Sequence, residues 1–299
     1  MIATLVLLAA ACSPVSSRPV DLPPAVYDIP DQLVMGTDVL CTRTGTKASC
    51  IAVEPYSGGY EAPPGEYTQL DGGGGQLCGL TTAGEAQCWY DDGDFSPPEP
   101  GPFVALGSGS FRSCGLRPDG SVTCWSWPDA QTPSERPGPY TAVAGATKVT
   151  CGLGPTGTIE CWDAWSHDTE PPTTPGWVSM EGYGAWVCAL NTEGRLACWG
   201  TTRGGNVPQT SPTDVGFRDV AIMVVGACAL RADREVTCWG ADDAGTFDVP
   251  PGPFTEIAGG NRSVCGLRPS GIISCWGCIE DASCPADFGV VGGELARLP

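Results

Sequence analysis

The 299 residues include 42 Gly, 29 Pro and 17 Cys, and they carry a formal net charge of −19 with charged side chains making up only 16% of the total. An acidic balance without a Lys/Arg cluster excludes a nucleic-acid partner, because phosphate binding draws its affinity from such clusters. So much Gly and Pro argues against a helical protein and for many short strands joined by turns.

The chain opens with IATLVLLAAA at residues 2–11, an apolar run too short to stay in a bilayer as a spanning helix. It reads as the apolar part of a signal peptide occupying residues 1–11, with cleavage expected at the Ala11–Cys12 bond. Small residues before a cysteine resemble the lipobox of bacterial lipoproteins, and that resemblance implies a lipid on Cys12. Residues 12–30, rich in Pro and Ser, suit an extended tether that need not fold.

From residue 31 onward the cysteines fall into seven pairs: Cys41 with Cys50, Cys78 with Cys88, Cys114 with Cys124, Cys151 with Cys161, Cys188 with Cys198, Cys228 with Cys238, and Cys265 with Cys275. First cysteines recur every 36 to 40 residues, and the offset within a pair is ten in six cases and nine in the first. A period of this size is the mark of a repeat architecture. Trp89, Trp125, Trp162, Trp199, Trp239 and Trp276 follow the second cysteine of the later pairs, while Ile51 stands there in the first. Eleven residues before the first cysteine lies an aromatic, Tyr67, Phe103, Tyr140, Trp177, Phe217 or Phe254, often after Pro-Gly.

Each unit reads as three short strands and a less regular fourth segment. The second and third strands form a hairpin whose loop needs a residue of positive φ, and Gly120, Gly157, Gly194 and Gly271 occupy that place. Arg234 replaces the glycine in the sixth repeat, where a strained or altered loop is expected. Such a hairpin sets residues ten apart opposite each other, so the cysteines are paired within repeats. Each closed loop is worth about 3 kcal/mol in the chain-entropy treatment. Zinc is excluded by a spacing without histidine partners. Cys278 and Cys284 are left to close a small loop after the last repeat, and the odd cysteine is Cys12.

Stretches such as FTEIAGGNRSVCGLRPSGIISCWG (254–277) and FRSCGLRPDGSVTCW (111–125) resemble the repeats of the regulator of chromosome condensation family, in a disulfide-bearing version found in exported bacterial proteins. The resemblance implies an all-β, seven-bladed β-propeller over residues 31–299 that uses its face loops to bind proteins. The repeats then run approximately 31–62, 63–99, 100–136, 137–174, 175–213, 214–250 and 251–287, with 288–299 as a closing strand. The chromatin and GTPase functions of the family's namesake do not transfer to an exported acidic chain.

Catalytic chemistry finds little support. The single histidine, His167, falls in the loop DAWSHDTEPP and is expected at the surface. Asp91, Asp92 and Asp94, then Asp242 and Asp243, then Glu280 and Asp281, are weighed as calcium ligands or a hydrolytic carboxylate pair against plain solvated loops, and the loops are preferred. The tryptophans after cysteine are expected to pack between strands, with Trp127 and Trp165 outside the register and more exposed. DGGGGQ (71–76) opens no helix and has no lysine placed for a phosphate loop.

The reading is a non-enzymatic, monomeric binding module of the cell envelope or secreted space, with no cofactor and no catalytic or metal residues. Its partner is an extracellular or envelope protein, or a glycan, and it meets membrane only through the lipid. A secreted inhibitor of an extracellular enzyme and a carbohydrate-active enzyme or lectin are the alternatives.

Overall fold

A computed structural model describes residues 28–37, 39–53, 61–90, 99–110, 112–126, 134–147, 149–162, 170–200, 212–224, 226–240, 248–277, 286–291 and 294–298. No helix occurs among them, and so none long and apolar enough to cross a membrane.

The strands group in chain order into small antiparallel sheets. The first holds β1 (Gln32–Met35), β2 (Val39–Thr44) and β3 (Lys47–Ala52), and the second β4 (Tyr67–Gly72), β5 (Gln76–Thr81) and β6 (Ala86–Tyr90). The third has four strands, β7 (Ala105–Ser108), β8 (Arg112–Leu116), β9 (Val122–Ser126) and β10 (Ser134–Arg136). In the fourth are β11 (Ala142–Gly145), β12 (Thr150–Leu153) and β13 (Ile159–Trp162), and in the fifth β14 (Trp177–Tyr183), β15 (Trp186–Asn191) and β16 (Leu196–Gly200). The sixth contains β17 (Phe217–Ile222), β18 (Gly226–Arg231) and β19 (Val236–Gly240). Five strands make the seventh: β20 (Glu256–Gly259), β21 (Val264–Leu267), β22 (Ile273–Trp276), β23 (Ala286–Val291) and β24 (Glu294–Arg297).

In every repeat the two cysteines are direct cross-strand partners. Cys41 is bonded to Cys50, Cys78 to Cys88, Cys114 to Cys124 and Cys151 to Cys161. Cys188 is bonded to Cys198, Cys228 to Cys238 and Cys265 to Cys275. Their Cα atoms lie 4.1 Å apart in the first pair and 4.0 Å in the other six, which is the close spacing of a non-hydrogen-bonded cross-strand site. The first cysteine of each pair is buried, but the second follows what lies outside its strand. Cys124 and Cys275 are buried where β10 and β23 cover the third strand, and Cys88 where Glu99 pairs with Ala86. Cys50, Cys161, Cys198 and Cys238 are half-buried.

The hairpin loops explain the register. Gly120 has φ +82° and its N–H donates to Arg117 O, while Arg117 N donates to Ser121 O. Arg234 takes φ 73° and makes the same two bonds, to Arg231 O and from Arg231 N to Glu235 O. The arginine therefore does not alter the loop's shape; it accepts a left-handed conformation that costs a side-chain-bearing residue about 1–2 kcal/mol.

Between the sheets the packing repeats as regularly as the cysteines. The ring of Phe103 lies where a Cβ on Gly115 would stand, 2.3 Å from its nearest carbon, so the glycine after the cysteine makes room for the aromatic that opens the repeat. The same aromatic meets the tryptophan after the second cysteine, with centroids 5.6 Å apart for Phe103 and Trp125 and 5.5 Å for Phe254 and Trp276. Arg117 and Arg268 cover the outer faces of Phe103 and Phe254. Hydrophobic clusters fill the spaces between consecutive sheets, from the one that holds Leu70, Leu77 and Trp89 against Val34 and Val39 to the one that holds Ile257 and Trp276 against Ala221 and Leu230. A further cluster unites Leu33, Met35 and Leu40 of the first sheet with Ala258, Leu267 and Phe288 of the last.

The two ends of the described chain also meet by hydrogen bonds. Asp28 N donates to Val290 O, Leu295 N to Ser49 Oγ and Asn261 N to Thr37 O. In the segment expected as a closing strand, β23 pairs with β22 as the fourth strand of the seventh sheet, and β24 follows it as the fifth.

Candidate functional site

The first strands of all the sheets, β1, β4, β7, β11, β14, β17 and β20, line one central channel of about 200 Å³. One position near the start of these strands, two places after the opening aromatic in the later repeats, lies beside the neighbouring sheet. Gln32 occupies it in the first repeat, with its Oε1 accepting from Leu70 N at 2.8 Å and its Nε2 donating to Leu70 O at 2.6 Å. Gln69 holds Leu106 in the same way, at 2.9 and 3.1 Å. In the sixth and seventh repeats the place is acidic: Asp219 accepts from Ile257 N at 3.0 Å, and Glu256 accepts from Leu33 N at 2.9 Å across the meeting of last and first sheets. Two places further along are Asp71, which accepts from Ser108 N at 3.2 Å, and Glu181.

These positions gather four carboxyl groups in the channel wall with no Lys or Arg among its lining residues. Burial pushes Asp71 up to about 7, against the backbone N–H groups of Ser108 and Gly72 that favour its charge. Burial likewise raises Asp219 to about 6, opposed by the N–H groups of Ile257 and Val220 and by Arg218. Glu256 rises to about 7 through burial and, to a smaller degree, the charge of Asp219, while Leu33 N–H and Arg43 pull it down. Glu181 stands well above the usual carboxylate range, first through burial and then through Asp219, Asp71 and Glu256. It makes no hydrogen bond among the described residues and remains open to water-sized molecules inside the channel, while protein encloses the channel around it. Its raised proton affinity follows from the enclosing protein and then from the neighbouring acids, although its side chain itself is exposed to the channel.

A second hollow lies at the surface beside Pro137, Pro139 and Pro155. There Arg136 pairs with Glu160, and Tyr140 Oη donates to Glu160 Oε2 at 2.8 Å. The tyrosine hydroxyl and then Arg136 hold the Glu160 carboxyl below its usual range. Both ends of the ion pair are largely exposed, so it is a weak stabilising feature.

The residues singled out in the sequence fare unevenly. Trp89, Trp125, Trp199 and Trp276 are buried and Trp162 and Trp239 half-buried, as strand-packing side chains are. Trp177, the opening aromatic of the fifth repeat, is buried as well. Cys12, Cys278, Cys284, His167, Trp127, Trp165 and the acidic groups Asp91, Asp92, Asp94, Asp242, Asp243, Glu280 and Asp281 lie outside the described residues. Among the described residues no three His, Cys, Asp or Glu side chains come together as a metal-binding group.

The channel carboxylates were missed from the sequence. A usable signal existed in the first strands, where YTQLDG and WVSMEG carry an acid inside an otherwise uncharged segment and FRDVAI carries Asp219 beside Arg218.

No protein-family model matches the chain, and comparison with curated proteins returned no match. Solved structures do resemble it. The ectodomain of the receptor kinase CR4 from Physcomitrella patens superposes with a TM-score of 0.67 and 25% identity, over 82% of this chain and 72% of that one. The CRINKLY WD40 ectodomain of the Arabidopsis thaliana receptor kinase ACR4 gives 0.64 and 21%, over 82% and 94%. Prp20p from Saccharomyces cerevisiae, the yeast RCC1 protein, which has been characterised for its binding to Gsp1p and histones, gives 0.63 and 13%, over 91% and 87%. The chain is thus an all-β propeller of RCC1-like architecture built from disulfide-bonded repeats, and its disulfides are those of an extracellular or secreted protein.

Proposed function

We propose that this chain is an exported, non-enzymatic, seven-bladed propeller that presents face loops to a protein partner. The observation that carries the reading is the cyclic order of contacts: each first strand touches the next, and β20 touches β1 through the Glu256–Leu33 hydrogen bond. A ring so arranged, with one cystine in every blade, is a stiff platform, and stiff platforms lower the ordering cost of recognition. Two of the similar folds are receptor ectodomains and a third is a protein characterised for protein binding, which favours a protein partner over a glycan. In the same proposal residues 288–299 close the ring, Cys12 carries a lipid, and Cys278 and Cys284 form an eighth bridge.

Affinity capture with residues 25–299 on extracellular and envelope fractions tests the reading. A discrete protein that binds the purified chain directly and saturably is the expected result. Carbohydrate turnover abolished by Asp92→Ala or Asp243→Ala would overturn it in favour of an enzyme. Mass spectrometry of the mature chain is expected to give eight disulfides, all within repeats or between Cys278 and Cys284, and an acylated Cys12.

A further inference from the structure

We propose that one face of the propeller, formed by the starts of the first strands and the hairpins between second and third strands, lies on the lipid surface that holds the anchor. The inference rests on the lipid on Cys12 proposed above for where the membrane is, and it leaves the opposite face to the protein partner.

Chain direction fixes what each face carries. A first strand starts where the second ends and the third begins, as the pairing of Ala105 with Leu116 and of Leu116 with Val122 shows. Of the five exposed large aliphatic side chains among the described residues, four stand at this end: Ile29 before β1, Val104 before β7, Val178 at the start of β14 and Val215 before β17. Val224 belongs to the other end, in the turn between β17 and β18. Val104 and Val178, 54% and 53% exposed, take the place one after the opening aromatic, where the second, fourth and seventh repeats have Thr68, Thr141 and Thr255. Those three hydroxyls donate to Leu80 O at 3.3 Å, Leu153 O at 3.1 Å and Leu267 O at 3.1 Å, and so keep their partners when the face leaves water. Pro118, Pro155 and Pro269 add exposed apolar rings at the tips of three hairpins.

The tether reaches this same face. Asp28, the first described residue, pairs with Val290, which continues β23 past Phe288, and Phe288 stands opposite Ile273 at the start of β22. Residues 12–27 therefore leave the fold at the aliphatic end. Fully extended they span roughly 50 Å, enough for the lipid to hold the domain either way up, so the face itself sets the orientation. Charge agrees with this. Lys47, Arg195, Arg218 and Arg234 are exposed here among acids of the same hairpins such as Glu193, Asp233 and Glu235, whereas the acidic runs at 91–94, 242–243 and 280–281 follow the far ends of β6, β19 and β22. In a chain of net charge −19, the mixed face is the one that an anionic lipid surface repels least. Aliphatic groups that enter the headgroup boundary, with basic side chains reaching outward beside them, are the means of interfacial binding.

Flotation with vesicles of phosphatidylethanolamine and phosphatidylglycerol tests this on the mature chain carrying Cys12→Ser, which removes the lipid and leaves the face. Weak, reversible binding is expected. Val104→Glu combined with Val178→Glu is expected to lower the partition about tenfold or more, and Val224→Glu, the same change at the opposite end, to leave it unaltered. On vesicles carrying the acylated chain, Lys47 is expected to be shielded from a water-soluble amine reagent, while Lys148, between Thr147 and Val149 of an opposite-end turn, reacts as it does without vesicles. The proposal is overturned if the Cys12→Ser chain does not float at millimolar lipid, or if Val224→Glu weakens binding as much as the paired change. It is also overturned if the paired change abolishes capture of a protein and leaves flotation intact, which would make this face a protein seat. Should the paired variant lose its near-UV dichroism, the protection of Lys47 decides. An unacylated Cys12 with flotation retained removes the anchor and supports the face; an acylated Cys12 without flotation removes the face and supports the anchor.

Discussion

Between the first and second sheets Gln32 grips Leu70 through both of its amide atoms, whereas between the fourth and fifth the backbones themselves touch: a Cβ on Gly182 would stand 2.1 Å from Gly145 O. The gripping side chain is present in the first, second, sixth and seventh repeats as Gln32, Gln69, Asp219 and Glu256. In the third and fourth the same place holds Ala105 and Ala142, which have no polar group, and there Gly107 stands where an added Cβ would lie 2.3 Å from Val143 O. Side-chain hydrogen bonds are thus confined to one arc, while direct backbone approach joins the other and recurs on the first between the sixth and seventh sheets, where a Cβ on Gly259 would stand 2.2 Å from Ile222 O. The first kind of joint tolerates a change of size but depends on polar chemistry. The second depends on the absence of a side chain and is indifferent to pH.

The largest effect is expected from the backbone arc. Gly182→Val forces a branched side chain against the Gly145 carbonyl, where only main chain can yield, and is expected to cost about 3 kcal/mol in urea unfolding. Gln69→Val places the same bulk on the other arc and is expected to cost less, since it removes hydrogen bonds without a clash against main chain.

On the polar arc Glu256→Ala leaves the buried Leu33 N–H without its acceptor, at an expected cost of about 1–3 kcal/mol. Glu256→Gln keeps an acceptor and removes a charge, so at pH 8 it is expected to unfold at or above the parent temperature. Equal losses in both variants would show that the joint depends on the charge and not on the hydrogen bond.

The pH dependence distinguishes the arcs without mutation. An unfolded carboxyl titrates near 4, while Asp71, Asp219 and Glu256 titrate at about 7, 6 and 7 in the folded chain. Between about pH 4 and pH 7 the folded state holds more protons, so these groups make stability fall as pH rises through that window. Thermal unfolding is expected a few degrees lower at pH 8 than at pH 5, with a smaller difference in Glu181→Gln. An unfolding temperature that rises over the same range would refute the assignment.

The smallest effect is outside both arcs. Arg234→Gly relieves the left-handed residue of the sixth hairpin and is expected to stabilise by about 1 kcal/mol, less the added freedom of glycine in the unfolded chain.

Much of the fold was legible because its units are local. The partnership of Cys78 with Cys88 needs only a hairpin of the right loop, and Gly157 or Gly271 at the left-handed place specifies that loop. The tryptophans were legible for a related reason, since a residue repeated at one strand position must meet the same neighbours every time. The carboxylates of the channel were not legible. Asp71 and Asp219 look like ordinary polar residues of half-buried strands, whereas the acidic loops stand out in composition.

What the sequence by itself determined was the unit: three strands, a cystine across the hairpin and, from the second repeat on, an opening aromatic and a tryptophan after the second cysteine. Those features arise from contacts within some forty residues, and each repeat states them anew. Only the tertiary structure decided that Glu256 should meet Leu33 and that Asp71, Glu181, Asp219 and Glu256 should share one channel. Placing them together requires all the first strands to converge, and no single repeat contains the information about which residues the others bring.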